Sequence, residues 1–336
     1  MPNDTQHTSG GPLLEVRNLR TWFPIRRGVF TRTIGHVKAV DDVTLRVARG
    51  ETLGLVGESG CGKTTLGRTL VGLERARAGT IRFAGEEITG ARSDTLRAVR
   101  RRMQMVFQDP FESLNPRMTA MDIVTEGKRQ AGLLARSDCE QEARALMNEV
   151  GLDANAIFRY PHEFSGGQRQ RISVARALSV QPEFIICDEA VSALDVSIQA
   201  QIINLLMDLK AQRGLSYLFI SHDLSVVRHI SDRIAVMYLG RLVELGSAES
   251  VMERPLHPYT RALISAVPIP RVEKKQRIVL EGDVPSPSNP PPGCRFHTRC
   301  PHAVDACRQT VPELEPLADA TDDTHLAACL RKRELR

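Results

Sequence analysis

Residues Gly57-Glu58-Ser59-Gly60-Cys61-Gly62-Lys63-Thr64-Thr65 contain the spacing G-x-x-x-x-G-K-[ST]. Glycines so placed let successive backbone N–H groups converge on phosphate oxygens, and a helix starting there adds its partial positive charge. Lys63 would set an ammonium between the β- and γ-phosphates, and the Thr64 hydroxyl would sit on Mg²⁺. The run Leu53–Val56 before the loop, and Leu66, Thr69 and Leu70 after it, fit a short strand feeding a helix. An ordinary glycine-rich turn is the competing reading, and this flanking pattern counts against it. The stretch predicts a nucleoside triphosphate site.

Three further stretches could serve such a site. The apolar run Phe184–Cys187 ends in Asp188-Glu189. A carboxylate at that place holds Mg²⁺ beside a phosphate loop, so Asp188 is the candidate ligand. Adjacent Glu189 could orient or deprotonate the attacking water. Ser165-Gly166-Gly167-Gln168 opens a helix carrying Ile172, Ala175 and Leu178 on one face, a second potential anion site that alone would read as a serine cap. The strand Tyr217–Ile220 runs into Ser221-His222-Asp223, where His222 could hydrogen-bond a γ-phosphate, although a lone histidine is more often structural.

Several strands therefore end in polar groups, as in a mostly parallel α/β sheet that binds ligand at its carboxyl edge. The 336 residues have room for one large or two modest domains. Residues 1–12 read as a disordered tail without an apolar signal core. No apolar run approaches the ~18 residues of a membrane span, so a soluble chain, cytoplasmic or peripheral to a membrane, is expected. A net charge of +5 and 4% aromatic residues give no sign of a nucleic-acid surface. Leu14–Val16, Trp22-Phe23, Val43–Val47, Thr80–Phe83 and Met105–Phe107 read as strands, and Pro24–Lys38 as a solvated basic loop. A helical subdomain is expected at about 109–170, with Ser137 and Glu140 as a capping box. Within it Ala143, Leu146, Met147 and Val150 share one face, and Gly151 ends their helix. A hairpin of Ile234–Leu239 and Leu242–Leu245 closes the main domain, assigned to residues 13–254.

These motifs together resemble the ATP-binding subunits of ABC transporters, from Leu14 to about Arg254. The resemblance implies a P-loop NTPase core with a mostly parallel sheet, an antiparallel β subdomain and a helical subdomain. Gly57–Thr64 is similar to the P-loop, Gln108 to the Q-loop glutamine, and Ser165–Gln168 to the signature. Asp188 and Glu189 match the magnesium and catalytic carboxylates, Ser192–Asp195 the D-loop, and His222 the switch histidine. Thr64, Gln108 and Asp188 are then the expected Mg²⁺ ligands, and Phe23, with Trp22 as the other candidate, takes the adenine-stacking place. The family pairs two such subunits head-to-tail, each ATP lying between one P-loop and the partner's signature. Phe107–Pro116, Cys187–Ser197 and His257-Pro258-Tyr259-Thr260 look like dipeptide/oligopeptide importer ATPases. This implies two integral-membrane permease subunits, a second, non-identical ATP-binding subunit, a solute-binding protein reached through the complex, and a place on the cytoplasmic membrane face. An importer of nickel, glutathione or another small solute is the first alternative. A soluble non-transport ABC ATPase ranks below it, because the chain has neither tandem ATPase domains nor a long coiled-coil insertion.

Residues 255–336 are Pro-rich and short of periodic structure, which suggests a small appended domain. It carries Cys294-x5-Cys300-x6-Cys307 and then Cys329. A cytoplasmic disulfide framework is disfavoured. An iron–sulfur cluster, a zinc site drawing on His297, His302 or His325, and unligated thiols all stay open. Gly282–Cys294 is similar to importer tails, some of which hold a [4Fe–4S] cluster, and this favours the cluster. Cys61, Cys139 and Cys187 lie apart and read as packing or loop residues.

Overall fold

The computed structural model describes residues 11–28, 32–192, 194–266, 278–317 and 324–335, and the side chains of Pro110 and Glu112 are also excluded. Most of the tail expected at 1–12 therefore lies outside the described residues, as does Ala193.

The chain opens with two long strands, β1 (Leu14–Arg27) and β2 (Arg32–Val47), then β3 (Thr52–Val56) and helix α1 (Lys63–Leu70). Next come β4 (Ala78–Phe83), β5 (Glu86–Glu87), α2 (Ser93–Arg102) and β6 (Met103–Val106). The helical insertion holds α3 (Pro110–Ser113), α4 (Ala120–Gln130), α5 (Cys139–Glu149) and α6 (Gly166–Leu178). It is followed by β7 (Phe184–Asp188), α7 (Val196–Arg213), β8 (Ser216–Ser221) and α8 (Leu224–Ile230). β9 (Arg233–Tyr238), β10 (Arg241–Ser247), α9 (Ala248–Glu253) and α10 (Pro258–Ser265) lead into the tail. The tail adds α11 (Asp305–Gln309), β11 (Glu315–Pro316) and β12 (Leu326–Ala327).

β1, β2, β4 and β5 form an antiparallel sheet in the order β2-β1-β4-β5. The main sheet runs β11-β12-β10-β9-β3-β8-β7-β6, and its run from β9 to β6 is parallel. Strands β3, β7 and β8 are buried along their whole length, because helices and the antiparallel sheet cover both faces. Their carboxyl ends deliver Gly57, Glu189 and His222 to one edge of the sheet.

Two stretches fold otherwise than their sequence suggests. Pro24–Lys38 is mostly ladder, with Phe23 opposite Val37 and Arg27 opposite Arg32, so charge on both faces disguised a hairpin as a loop. The Ser137–Glu140 capping box does not form. Arg136–Asp138 make a 3₁₀ turn, α5 starts only at Cys139, and the Ser137 hydroxyl donates to the Asp138 carboxylate at 2.8 Å. The apolar face itself is as expected, with Ala143, Leu146, Met147 and Val150 all buried. The tail is bound to the core rather than hung from it. β12 pairs with β10, and Tyr259 and Phe296 belong to the same apolar cluster as Val56 of β3.

Candidate ATP site and cysteine pocket

The loop leaving β3 needs glycine at Gly62. Its φ is +110°, and a Cβ there would run into the Ala39 carbonyl oxygen. Gly62 hands the chain to α1, so Lys63 is the first helical residue. The Lys63 ammonium is buried and donates to the carbonyls of Gly57 at 2.7 Å and Glu58 at 3.1 Å. These bonds curl the loop around its own cation, at the place where phosphate charge is expected.

From α1 the Thr64 hydroxyl donates to Asp188 Oδ1 at 3.0 Å. Asp188 ends β7 and is buried, and burial raises its pKa despite that bond. The following residue, Glu189, holds a positive φ of 47°, unusual for a side chain of its size, which marks a sharp exit from the strand. Its amide donates to the Ile220 carbonyl of β8 at 3.0 Å. Its carboxylate receives Gln108 Nε2 at 3.0 Å and stands 3.5 Å from His222 Nδ1. Three residues separated by up to 114 positions thus meet on one carboxylate oxygen, at the carboxyl ends of β6, β7 and β8.

Phe23 is half-buried on β1. The residue two before it, Thr21, touches Thr69 of α1 with 3.0 Å between hydroxyl oxygens, so alternation puts Phe23 on the α1 side of the strand. The extra residue of the neighbouring bulge, Ala39, belongs to β2. Trp22 is engaged elsewhere. Its Nε1 donates to Asp41 at 3.1 Å, and Lys38 and Arg77 stand 5.1 and 4.7 Å from the ring centre.

Ser165 caps α6 as a true capping box. Its hydroxyl accepts from the Gln168 amide at 3.4 Å, and Gln168 Oε1 accepts from the Ser165 amide at 2.9 Å. Among the described residues, no hydrogen bond joins Ser165–Gln168 to the loop Gly57–Thr65 of the same chain.

In the tail, Cys294, Cys300, Cys307 and Cys329 line one pocket together with His257, Phe296, His297 and His302. Cys294 N–H donates to the Cys307 carbonyl at 2.8 Å, which ties two of the four to each other. Burial pushes the Cys294 thiol up to about 11. Among the described residues no group of three or more His, Cys, Asp or Glu is arranged to hold a metal ion, so the thiols share a pocket without forming a ligand shell. His325 is engaged elsewhere, 2.8 Å from the buried carboxylate of Glu244. Cys61, Cys139 and Cys187 are buried apart from the pocket.

One feature of the site gave no sequence signal. Glu58 of the loop is gripped by Arg299 at 2.7 and 3.2 Å, and its amide donates to the Tyr259 hydroxyl at 2.8 Å. No local pattern announces partners 241 and 201 positions away.

The solved structures that share this fold include a post-hydrolysis dimer of the ATP-binding cassette MJ0796 bound to ADP and Pi. It superposes with a TM-score of 0.62 at 24% identity, covering 70% of this chain and 98% of that one. CbiO1 from Clostridium perfringens, part of the ABC transporter complex cbiONQ, gives 0.62 at 24% identity, covering 73% and 92%. A family model described as ABC transporter matches residues 40–192, so fold and site together define an ABC-type ATPase. A second model, the oligopeptide/dipeptide transporter C-terminal region, matches residues 243–307. Oligopeptide transport ATP-binding protein AppF of Bacillus subtilis (strain 168) is 52% identical over 321 residues, 94% of this chain and 96% of that one. Oligopeptide transport ATP-binding protein OppF of Escherichia coli (strain K12) is 55% identical over 309 residues, 90% and 92% respectively. The chain belongs to the family of oligopeptide transport ATP-binding proteins.

Proposed function

We propose that this chain hydrolyses ATP to power import of di- or oligopeptides through a membrane ABC transporter. The observation that carries the reading is the meeting of Thr64 with Asp188, and of Gln108 and His222 with Glu189, beside the loop Gly57–Thr65. ATP phosphates would lie on that loop, with Lys63 turning from the carbonyls of Gly57 and Glu58 to the phosphate oxygens. Phe23 would stack on the adenine. Thr64 and Asp188 offer two oxygen donors 3.0 Å apart, suited to a hard cation, and the Gln108 amide oxygen, which takes no hydrogen bond among the described residues, could join them. Mg²⁺ held there would neutralise charge on the β- and γ-phosphates.

Glu189 would accept a proton from the attacking water as that oxygen bonds to the γ-phosphorus and the bond from that phosphorus to the β,γ-bridging oxygen breaks, the bridging oxygen leaving with ADP. His222 would steady the γ-phosphate, and Gln108 would carry the closed state towards a permease. The self-contained cap at Ser165–Gln168 supports its use on a second subunit's ATP, since among the described residues no hydrogen bond ties it to its own loop. Two permease subunits, a second, non-identical ATPase and a solute-binding protein complete the proposed assembly. No helix among the described residues is long and apolar enough to cross a membrane, which accords with peripheral attachment at the cytoplasmic face.

Cys294, Cys300, Cys307 and Cys329 line one pocket and are by residue type the donor set of a [4Fe–4S] cluster, although their present arrangement is not a ligand shell; a cluster held there would supply cross-linking energy to the small tail. Divisions at 13–254 and 255–336, with a helical part at about 109–170, describe this chain as units of function rather than as separate bodies.

Glu189→Gln tests the assignment. The variant is expected to bind ATP as the parent does and to lose hydrolysis by about a hundredfold or more in the assembled complex. Near-parental turnover, with every site changed, would remove Glu189 from the proton transfer.

A further inference from the structure

Glu58 sets a problem for a phosphate-binding loop. Its carboxylate belongs to the loop that must receive a triphosphate, and an unpaired negative charge there would oppose binding. The answer lies far along the chain. The Arg299 guanidinium is 7% exposed at its side chain and grips both Glu58 oxygens, at 2.7 and 3.2 Å. The Tyr238 hydroxyl lies beside the same guanidinium without closing a well-formed hydrogen bond. Tyr259 takes the Glu58 amide at 2.8 Å. Its ring packs on Tyr238 and Phe296, with centres 4.8 and 5.4 Å apart. A nearby anchor strengthens the arrangement, because Arg295 bonds the Leu239 carbonyl and the Asp41 carboxylate. Both guanidiniums lie on the short segment between Cys294 and Cys300.

We propose that Arg299 and Tyr259 are positioning residues for the ATP site: the tail grips Glu58, neutralises it and fixes the curve of the loop, so the tail sets nucleotide affinity. The inference rests on the reading of Gly57–Thr64 as the phosphate loop and extends it to regulation of that site. A bidentate arginine pair has the geometry for the task, which a flexible lysine does not reproduce.

The test is titration of a fluorescent ATP analogue into the full chain, with Lys63→Ala as the control for the loop. Arg299→Gln is expected to weaken binding about tenfold, the factor that corresponds to about 1.4 kcal/mol. Glu58→Gln added to Arg299→Gln is expected to restore affinity to within about threefold of the parent, because it removes the charge left unpaired. A residue that merely holds the tail in place would not be rescued in that way. Arg299→Lys, which keeps the charge, is expected to fall between parent and Arg299→Gln, and covers the case of an Arg299→Gln chain that fails to fold. Tyr259→Phe keeps the ring packing and is expected to speed amide exchange at Glu58 about tenfold. Parental affinity in Arg299→Gln, no rescue by the second change, or unaltered Glu58 exchange in Tyr259→Phe would overturn the proposal. If instead the parent binds no nucleotide, or Lys63→Ala binds as the parent does, the phosphate-loop reading falls and takes this inference with it.

Discussion

At the scale of residues, neighbours in sequence are assigned opposite tasks by what surrounds them. Trp22 and Phe23 are both aromatic, but only Trp22 has its ring and indole N–H already engaged, by Arg77, Lys38 and Asp41. Phe23 stands on the α1 side, and among the described residues no ring or cation contact engages its face. Phe23→Ala is therefore expected to weaken ATP about tenfold, within the ~1–3 kcal/mol that a stacked base contributes. Trp22→Ala should mainly lower the unfolding temperature. Equilibrium titration and a melt of both variants separate the two, and the reverse pattern would transfer the stacking role to Trp22. The pair Asp188-Glu189 divides labour in a similar way. Asp188 is drawn into the fold against Thr64, while the positive φ of Glu189 turns its carboxylate out towards Gln108 and His222.

At the scale of elements, three of the parallel strands, β3, β6 and β7, begin beside one shared ion-pair cluster. Glu183, just before β7, pairs with Arg102 at the end of α2 at 2.5 Å and with Arg49 before β3 at 2.7 Å. The Arg102 hydrogen bond, opposed by partial burial and helped by Arg49, holds the Glu183 carboxyl below its usual 4.5. A depressed folded pKa contributes stability that is present above the unfolded value and lost as pH falls through the folded one. Glu183→Gln is thus expected to cost about 1 kcal/mol at pH 7, allowing for solvent screening of these part-exposed pairs. In denaturant melts the gap to the parent should start to narrow as pH falls below about 4.5 and close only below the depressed folded value. A gap that persisted into acid would mean that packing, not charge, is the cause.

The elements also show what a single sequence reveals. The strand–loop–helix around Lys63, the Asp188-Glu189 strand end and the Ser165 cap were legible because apolar runs and small residues stand in short, regular spacing. The Pro24–Lys38 hairpin was not, since an exposed ladder needs no apolar alternation. The Ser137 cap failed because a 3₁₀ turn used up the residues it needed. β11 and β12 are two residues each and carry no period at all. The grip of Arg299 on Glu58 is a contact at long range between two common charged residues, which only the folded chain brings together.

At the scale of the whole molecule, the tail is part of the ATPase, through β12 on β10, the aromatic cluster around Phe296 and the Pro287 carbonyl that accepts the Lys38 amide at 3.0 Å. A centre at the four cysteines would add cohesion within the tail itself, beyond these contacts with the core. Protein purified without oxygen is expected to be brown, to absorb broadly near ~400 nm and to carry about four irons per chain, and Cys300→Ser to bleach it. Colourless protein with about one zinc per chain would assign the pocket to zinc instead, and metal-free protein with four titratable thiols would eliminate both. The proposed work of this chain is done on a peptide crossing a membrane. It is tested most directly by uptake of a labelled oligopeptide into proteoliposomes holding the complete complex, with ATP on the side of this chain. ATP-dependent accumulation that disappears when this chain carries Glu189→Gln is the predicted result. Accumulation unaffected by that change, or ATP-driven uptake of a non-peptide solute with none of peptide, would contradict the account.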